Sequence, residues 1–125
     1  MNILVIEDNS DNLYLAQCLL QAHGHTFTSA CDGASGIAMA QAQAFDAILL
    51  DIQLPDLDGY EVARRLVRLP DWARTPIIAV TSFAMEGDRQ KALAAGCKGY
   101  IEKPINPDTF VTQIESFARE KNAAS

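Results

Sequence analysis

The stretch Ala47-Ile48-Leu49-Leu50-Asp51-Ile52-Gln53-Leu54-Pro55 governs how the rest of the chain is read. Four consecutive apolar residues without helical spacing predict a short strand buried on both faces. The run stops at a carboxylate, and the loop after it is stiffened by Pro55 and by the Asp58-Gly59 pair. A charge is too costly to bury unpaired, so Asp51 belongs at the rim of a sheet. In an open parallel sheet the crevice beyond the carboxyl ends of the strands is where ligands bind. An aspartate in this position can also do no more than close a turn. What gathers around it decides.

Two similar runs flank this one in the sequence. Ile3-Leu4-Val5-Ile6 leads straight into Glu7-Asp8, and Pro76-Ile77-Ile78-Ala79-Val80 leads into Thr81-Ser82. Thr26 to Ala30 is strand-like but of mixed polarity, which suits an edge. Gly99-Tyr100-Ile101 is a short final strand, followed by Glu102-Lys103-Pro104.

Helical segments separate the strands. The first is capped by Asn9 or Ser10, carries Leu13, Ala16, Leu19 and Leu20 on its inner face, and ends at Gly24. Asp32-Gly33 opens an Ala-rich second helix with Ile37, Ala38 and Met39. The third places Val62, Leu66 and Leu69 on one side and Arg64, Arg65 and Arg68 in solvent, with Pro70 closing it. Trp72, in the loop 71–74, is expected partly buried. Asp88 to Ala95 has Leu93 as its only large apolar residue, which predicts a weakly anchored helix. Asn106 as cap and Pro107 at the first helical position start the last helix, with Phe110, Ile114 and Phe117 inward.

A chain of 125 residues supports one domain, expected over 1–121 with 122–125 as a disordered tail. Its 49% apolar content is ordinary for a folded protein. A net charge of -6 argues against nucleic acid or an anionic membrane as the main partner. No apolar stretch approaches the ~20 residues that span a bilayer, and the N-terminus lacks a basic leader. A cytoplasmic location is expected. Cys18, Cys31 and Cys97 are widely spaced with no CxxC and read as reduced thiols. His23 and His25 flank Gly24 and read as a helix-ending turn rather than a metal pair.

The strict alternation of strand and helix calls for a parallel sheet with helices on both faces. Placing the three apolar strands centrally, with right-handed crossovers, gives the order 2-1-3-4-5. This is the flavodoxin-like, doubly wound five-stranded α/β fold. In that order strands one and three are neighbours, so Glu7, Asp8 and Asp51 meet at one crevice. Carboxylates sharing a site repel, and a hard divalent cation such as Mg²⁺ relieves the repulsion. Lys103 brings a positive charge and Thr81 a hydroxyl to the same rim. A carboxylate nucleophile, a cation, a lysine and a hydroxyl form a phosphoryl-transfer constellation. Four such features at four strand ends outweigh the turn-closing reading.

With these residues in view, the sequence resembles the receiver domain of two-component response regulators, from Ile3 to about Phe117. The motifs are Glu7-Asp8, Asp51, Leu54-Pro55-Asp56-Leu57-Asp58-Gly59, Thr81 and Lys103-Pro104. The stretch Val80 to Asp88 is similar to single-domain regulators of bacterial cell polarity and division. The resemblance implies that Asp51 accepts a phosphoryl group from a phosphohistidine on a histidine kinase or histidine phosphotransfer protein. It implies Mg²⁺ on Asp8, Asp51 and the backbone carbonyl of Gln53, with Glu7 acting through water. Lys103 would pair with the phosphoryl oxygens, Thr81 would swing toward them, and Tyr100 would move into the space released. A cis Lys103-Pro104 bond also follows from the family. The state would be read by a downstream target protein on the surface formed by Asp88 to Ala95, Gly99 to Ile101 and the last helix. The implied protein is a switch, a monomer or weak dimer, catalysing only its own phosphorylation and autodephosphorylation.

Some residues depart from the commoner family pattern. Ser82 replaces a bare alanine and adds a hydroxyl beside the phosphoryl pocket. Phe83 and Gln53 flank the route of an attacking water, with bulky Phe83 expected to obstruct it. Among rivals, a haloacid dehalogenase-type phosphatase needs a second aspartate two residues after its nucleophile, and Asn9-Ser10 follow Asp8. A flavin carrier needs a phosphate loop where this chain has two acids. A receiver-like scaffold that is not phosphorylated would normally lack one of the acids or the lysine, and all are present. Met1 and the short polar end favour a stand-alone protein over a receiver excised from a hybrid histidine kinase.

Overall fold

A computed structural model of the chain describes residues 1–69, 75–82 and 87–124, the last six of these by backbone alone. Strands β1 (Asn2–Ile6), β2 (Thr26–Ala30), β3 (Ala47–Asp51), β4 (Ile77–Thr81) and β5 (Gly99–Glu102) alternate with helices. These are α1 (Ser10–Ala22), α2 (Gly33–Ala42), α3 (Gly59–Leu66), α4 (Asp88–Ala94) and α5 (Phe110–Ala124). The strands pair in parallel in the order β2-β1-β3-β4-β5, as the sequence predicts. The polar β2 and the short β5 take the edges.

Because side chains alternate along a strand, each apolar run supplies both faces of the sheet. Leu4, Ile6, Ile48, Leu50, Ile77 and Ala79 face α2, α3 and α4, packing with Ala40, Val62, Leu66 and Ala92. Ile3, Val5, Ala47, Leu49, Ile78 and Val80 face α1 and α5, packing with Ala16, Leu20, Phe110 and Ile114. Gly99 lets α5 approach closely: a Cβ there would lie 2.6 Å from the Phe117 ring. The loop after α1 is tied to α5 by His25 Nε2, 2.9 Å from Glu115 Oε2. His23 caps α1 and Gly24 turns the chain at φ +81, so this pair does end the helix.

The structure adds local detail to the sequence reading. Leu93 does not anchor α4: it is 50% exposed, and the small Ala92 and Ala95 are buried instead. The helix is thinly anchored for that reason, and it starts from Gly87 at φ +94 without a side-chain cap. Helix α3 ends at Leu66 in a tighter turn where Arg68 and Leu69 N–H groups bond back three residues, and the expected closing residue Pro70 lies outside the described residues. Ala38 points to solvent, and Gly36 and Ala40 take the inner face of α2. The expected burial of Trp72 lies outside the described residues. At the chain's end α5 is helical to Ala124, into the stretch expected as a tail. Helix α5 starts at Phe110 rather than at the expected Pro107; Asn106 holds the turn 107–109 that leads into it, its side chain accepting from Asp108 N–H and its carbonyl from Phe110 N–H.

The turn from the Asp51 strand into α3 is the tightest packing near the sheet's carboxyl edge. The Gly59 N–H donates to Ile52 O at 3.0 Å. A Cβ at Gly59 would sit 2.4 Å from Ile52 Cα and 2.8 Å from Asp51 O, both backbone atoms. Gly59→Ala is therefore expected to destabilise the protein by about 2 kcal/mol, since the obstruction cannot rotate away. Equilibrium urea unfolding measures this, and unchanged stability would contradict the packing described.

Candidate functional site

The carboxyl edge of the sheet holds an open cleft between the ends of β1, β3, β4 and β5. Glu7 is placed by its N–H, which donates to Ala30 O at 2.9 Å and extends the β1–β2 ladder by one residue. Asp51 ends β3, with only 4% of its surface exposed. Its Oδ1 accepts from the Gln53 N–H at 2.9 Å. The Lys103 N–H donates to Thr81 O at 2.8 Å, fixing the chain just beyond β5 against the end of β4. The Lys103 side chain then reaches back across two strands. Its Nζ lies 2.8 Å from Glu7 Oε1 and 3.3 Å from Asp51 Oδ2.

Carboxylate oxygens of Glu7, Asp8 and Asp51 lie within 4.8 Å of one another. Glu7 is nearly buried, and its Oε2 has no hydrogen-bond partner among the described residues. Burial pushes the Glu7 carboxyl up to about 7; the facing Asp51 adds to this, and the bond from Lys103 opposes it. Burial alone would lower the Lys103 ammonium, but contact with Glu7 and the charge of Asp51 outweigh it and hold it above its ordinary value. An orphaned buried oxygen beside two more acids, one of them exposed, is a donor set suited to a hard cation that keeps some of its water. The single lysine is shared by two acids, so the cluster retains net negative charge when all three are ionised.

The structure brings Asp8, Asp51, Gln53, Ser82, Lys103 and Pro104 to the cleft wall. Ser82 Oγ donates to Gln53 Oε1 at 2.9 Å, joining the two loops on either side of the opening. Thr81 is buried at the end of β4. The Lys103-Pro104 peptide bond is cis. Tyr100 stands apart, half-buried on the α4 face of β5, with its hydroxyl buried and unpartnered among the described residues. Phe83 lies outside the described residues. Asn9 and Asn12 also line the cleft, and sequence reading gave them no role there. Asn9 caps α1 by accepting from Asp11 and Asn12 N–H groups at 2.9 and 3.0 Å. A residue three after a cap shares its side of the helix, which is the signal that could have placed Asn12.

The three cysteines are unpaired thiols, and burial pushes Cys97 up to about 12, leaving it inert at neutral pH.

The model of the response regulator receiver domain matches residues 3–115. The chain belongs to the response-regulator receiver family. This receiver is 36% identical to the polar-differentiation response regulator DivK of Brucella anthropi over 116 residues, 93% of this chain and 94% of that protein. Its fold matches a CheY-like receiver domain protein from Methanospirillum hungatei at TM-score 0.91 and 27% identity, covering 99% and 98% of the two chains. It also matches the receiver domain of a sensor histidine kinase from Pseudomonas aeruginosa at TM-score 0.87 and 35% identity, covering 94% and 97%. That structure holds a magnesium ion coordinated in its active-site cleft. Among the described residues of this receiver, no helix is long and apolar enough to cross a membrane.

Proposed function

We propose that this receiver is a phosphorylation-driven switch of a two-component or phosphorelay system, with Asp51 as the phosphoacceptor. The observation that carries this is the setting of Asp51: almost buried, oriented by the Gln53 amide, beside a lysine, and within 4.8 Å of two further acids. Asp8, Asp51 and the Gln53 carbonyl would hold Mg²⁺, with Glu7 acting through water. When bound there, such a cation would supply neutralisation of the charge that gathers on the transferring oxygens.

The chain's own groups do the rest. A carboxylate oxygen of Asp51 attacks the phosphorus of a phosphohistidine on a kinase or phosphotransfer protein. The new O–P bond replaces the P–N bond, and the electron pair returns to the imidazole nitrogen, which takes up a proton. Lys103, already aimed at Asp51, pairs with the phosphoryl oxygens rather than with Glu7. The acceptor gains about -1.5 to -2 of charge and several acceptor oxygens, which the Thr81 hydroxyl can reach from the end of β4. Tyr100 is free to follow, since its hydroxyl has no partner to lose among the described residues. Incubation with acetyl phosphate, with Mg²⁺ and then with EDTA, tests the reading by intact mass. A cation-dependent phosphoryl adduct supports it, whereas no adduct would favour a binding-only scaffold.

The readout surface is α4, β5 and α5. Only contacts that differ between the two states can bias a segment, and within α4 the buried side chain is the small Ala92. Tyr60 OH donates to Asp88 O at 3.4 Å, a long bond at the first residue of α4. Amide chemical shifts of 88–101 are expected to move on addition of beryllofluoride, more than those of β2 and α2. Equal or smaller shifts there would remove this surface from the proposal. The location of the protein in the cytoplasm and its monomeric or weakly dimeric state belong to the same reading.

A further inference from the structure

We propose that Asp56 is a positioning residue for the cation-binding loop, clamping residues 52–58 to the far helix α2; this rests on the Mg²⁺ reading above. The loop carries the Gln53 carbonyl, yet few of its contacts lie within it: the Gln53 amide bonds Asp51, and residues 53 and 58 form an isolated bridge. Ile52 is bonded to Val80 and Gly59, and Gln53 to Ser82, while the loop's hydrogen bonds to α2 run through Asp56. Oδ1 of Asp56 accepts from the Gly33 N–H at 2.8 Å, and Oδ2 from the Ala34 N–H at 3.0 Å.

These are first-turn donors of a helix, which have no partner inside it. The side chain of Asp32, the helix's own cap, accepts from the next one, Ser35 N–H, at 2.7 Å. The α2 N-terminus is thus capped twice, once from its own chain segment and once from the loop after the phosphoacceptor. The Gly33 and Ala34 amides hold the Asp56 carboxyl below the ordinary carboxylate range, so the clamp is charged at neutral pH. Gly33 makes the approach feasible: a Cβ there would lie 2.8 Å from Val62 Cγ2 and 3.2 Å from the Leu57 side chain.

Between Asp56 and Gln53 stand only Leu54 and Pro55, and proline fixes one of the intervening dihedrals. Holding residue 56 therefore restricts where the Gln53 carbonyl can point. The Gln53 side chain passes the restraint on to Ser82 across the cleft. Supporting groups of this kind tune metal affinity without touching the metal.

Asp32→Ala and Asp56→Ala each remove one cap from the same helix, so they separate helix stability from loop placement. Three quantities are measured for each: thermal midpoint, Mg²⁺ affinity by calorimetry, and amide exchange of residues 52–58 without metal. Both variants are expected to lower the midpoint. Only Asp56→Ala is expected to weaken Mg²⁺ binding, by about tenfold, and to speed exchange in the loop. Asp56→Asn, which keeps one acceptor, should fall between Asp56→Ala and wild type, and it serves if the alanine variant does not fold. Equal effects of the two alanine variants on Mg²⁺ and exchange, or no effect of either, would overturn the proposal. Failure of the wild-type chain to bind Mg²⁺ would instead sink the cation reading, and the metal-free exchange data would still decide the clamp.

Discussion

Asp51→Asn is expected to abolish phosphoryl uptake from acetyl phosphate while leaving the fold intact. The amide has nearly the shape of the carboxylate, and its oxygen can still accept the Gln53 N–H now bonded to Asp51 at 2.9 Å. It has no anionic oxygen to attack phosphorus. Loss of a nucleophile typically costs several orders of magnitude in rate, so labelling should fall by at least about 10³-fold. Stability should not fall with it. Asp51 is one of the causes that raise the Glu7 carboxyl, so a neutral side chain there relieves repulsion across the cleft. Lys103 retains Glu7 as its partner at 2.8 Å. Intact mass after reaction, together with the unfolding midpoint, checks both halves. An adduct of comparable amount on a folded Asp51→Asn chain would move the acceptor to Asp8 or Glu7 and undo the assignment.

The features behind that expectation differ in how openly the sequence carried them. Ile3 to Ile6, Ala47 to Leu50 and Ile77 to Val80 are apolar throughout because they are covered on both faces, and this alone placed them at the sheet's centre. Once β1 and β3 are neighbours, register brings Ile6 opposite Leu50, and the acids that follow must share an edge. Glu7, Asp8, Asp51 and Lys103 were therefore legible before any contact was known. The bonds between loops were not. Ser82 to Gln53 and Asp56 to Gly33 join residues 29 and 23 positions apart through short polar side chains, and no periodicity announces them. The weak anchoring of α4 was legible from its single large apolar residue, but not that Leu93 would be half exposed while Ala92 took the buried position. The end of α3 at Leu66, where the Arg68 and Leu69 N–H groups bond back three residues, is likewise a local tightening that no periodicity announces.

The acid cluster should also impose an unusual dependence of stability on pH. Glu7 is pushed from 4.5 to about 7 in the folded chain, so between those values the folded state binds a proton that the unfolded state has lost. Stability from this group is present in full below about pH 4.5 and disappears as pH rises through about 7, with an amplitude of roughly 3 kcal/mol. Asp56 and Glu61 are lowered instead, and their contributions are lost only as pH falls below the ordinary carboxylate range. The window from pH 5 to 8 therefore isolates Glu7 from them. Urea unfolding in EDTA across this window should show wild type losing stability relative to Glu7→Gln as pH rises. Subtracting the variant's curve removes every group that titrates in both proteins. Saturating Mg²⁺ should reverse the trend, because the cation requires the ionised acid and competes with the proton. If metal-free wild type and Glu7→Gln instead run parallel from pH 5 to 8, Glu7 is ionised throughout. The cluster would then lack the strained charge that makes it a cation site.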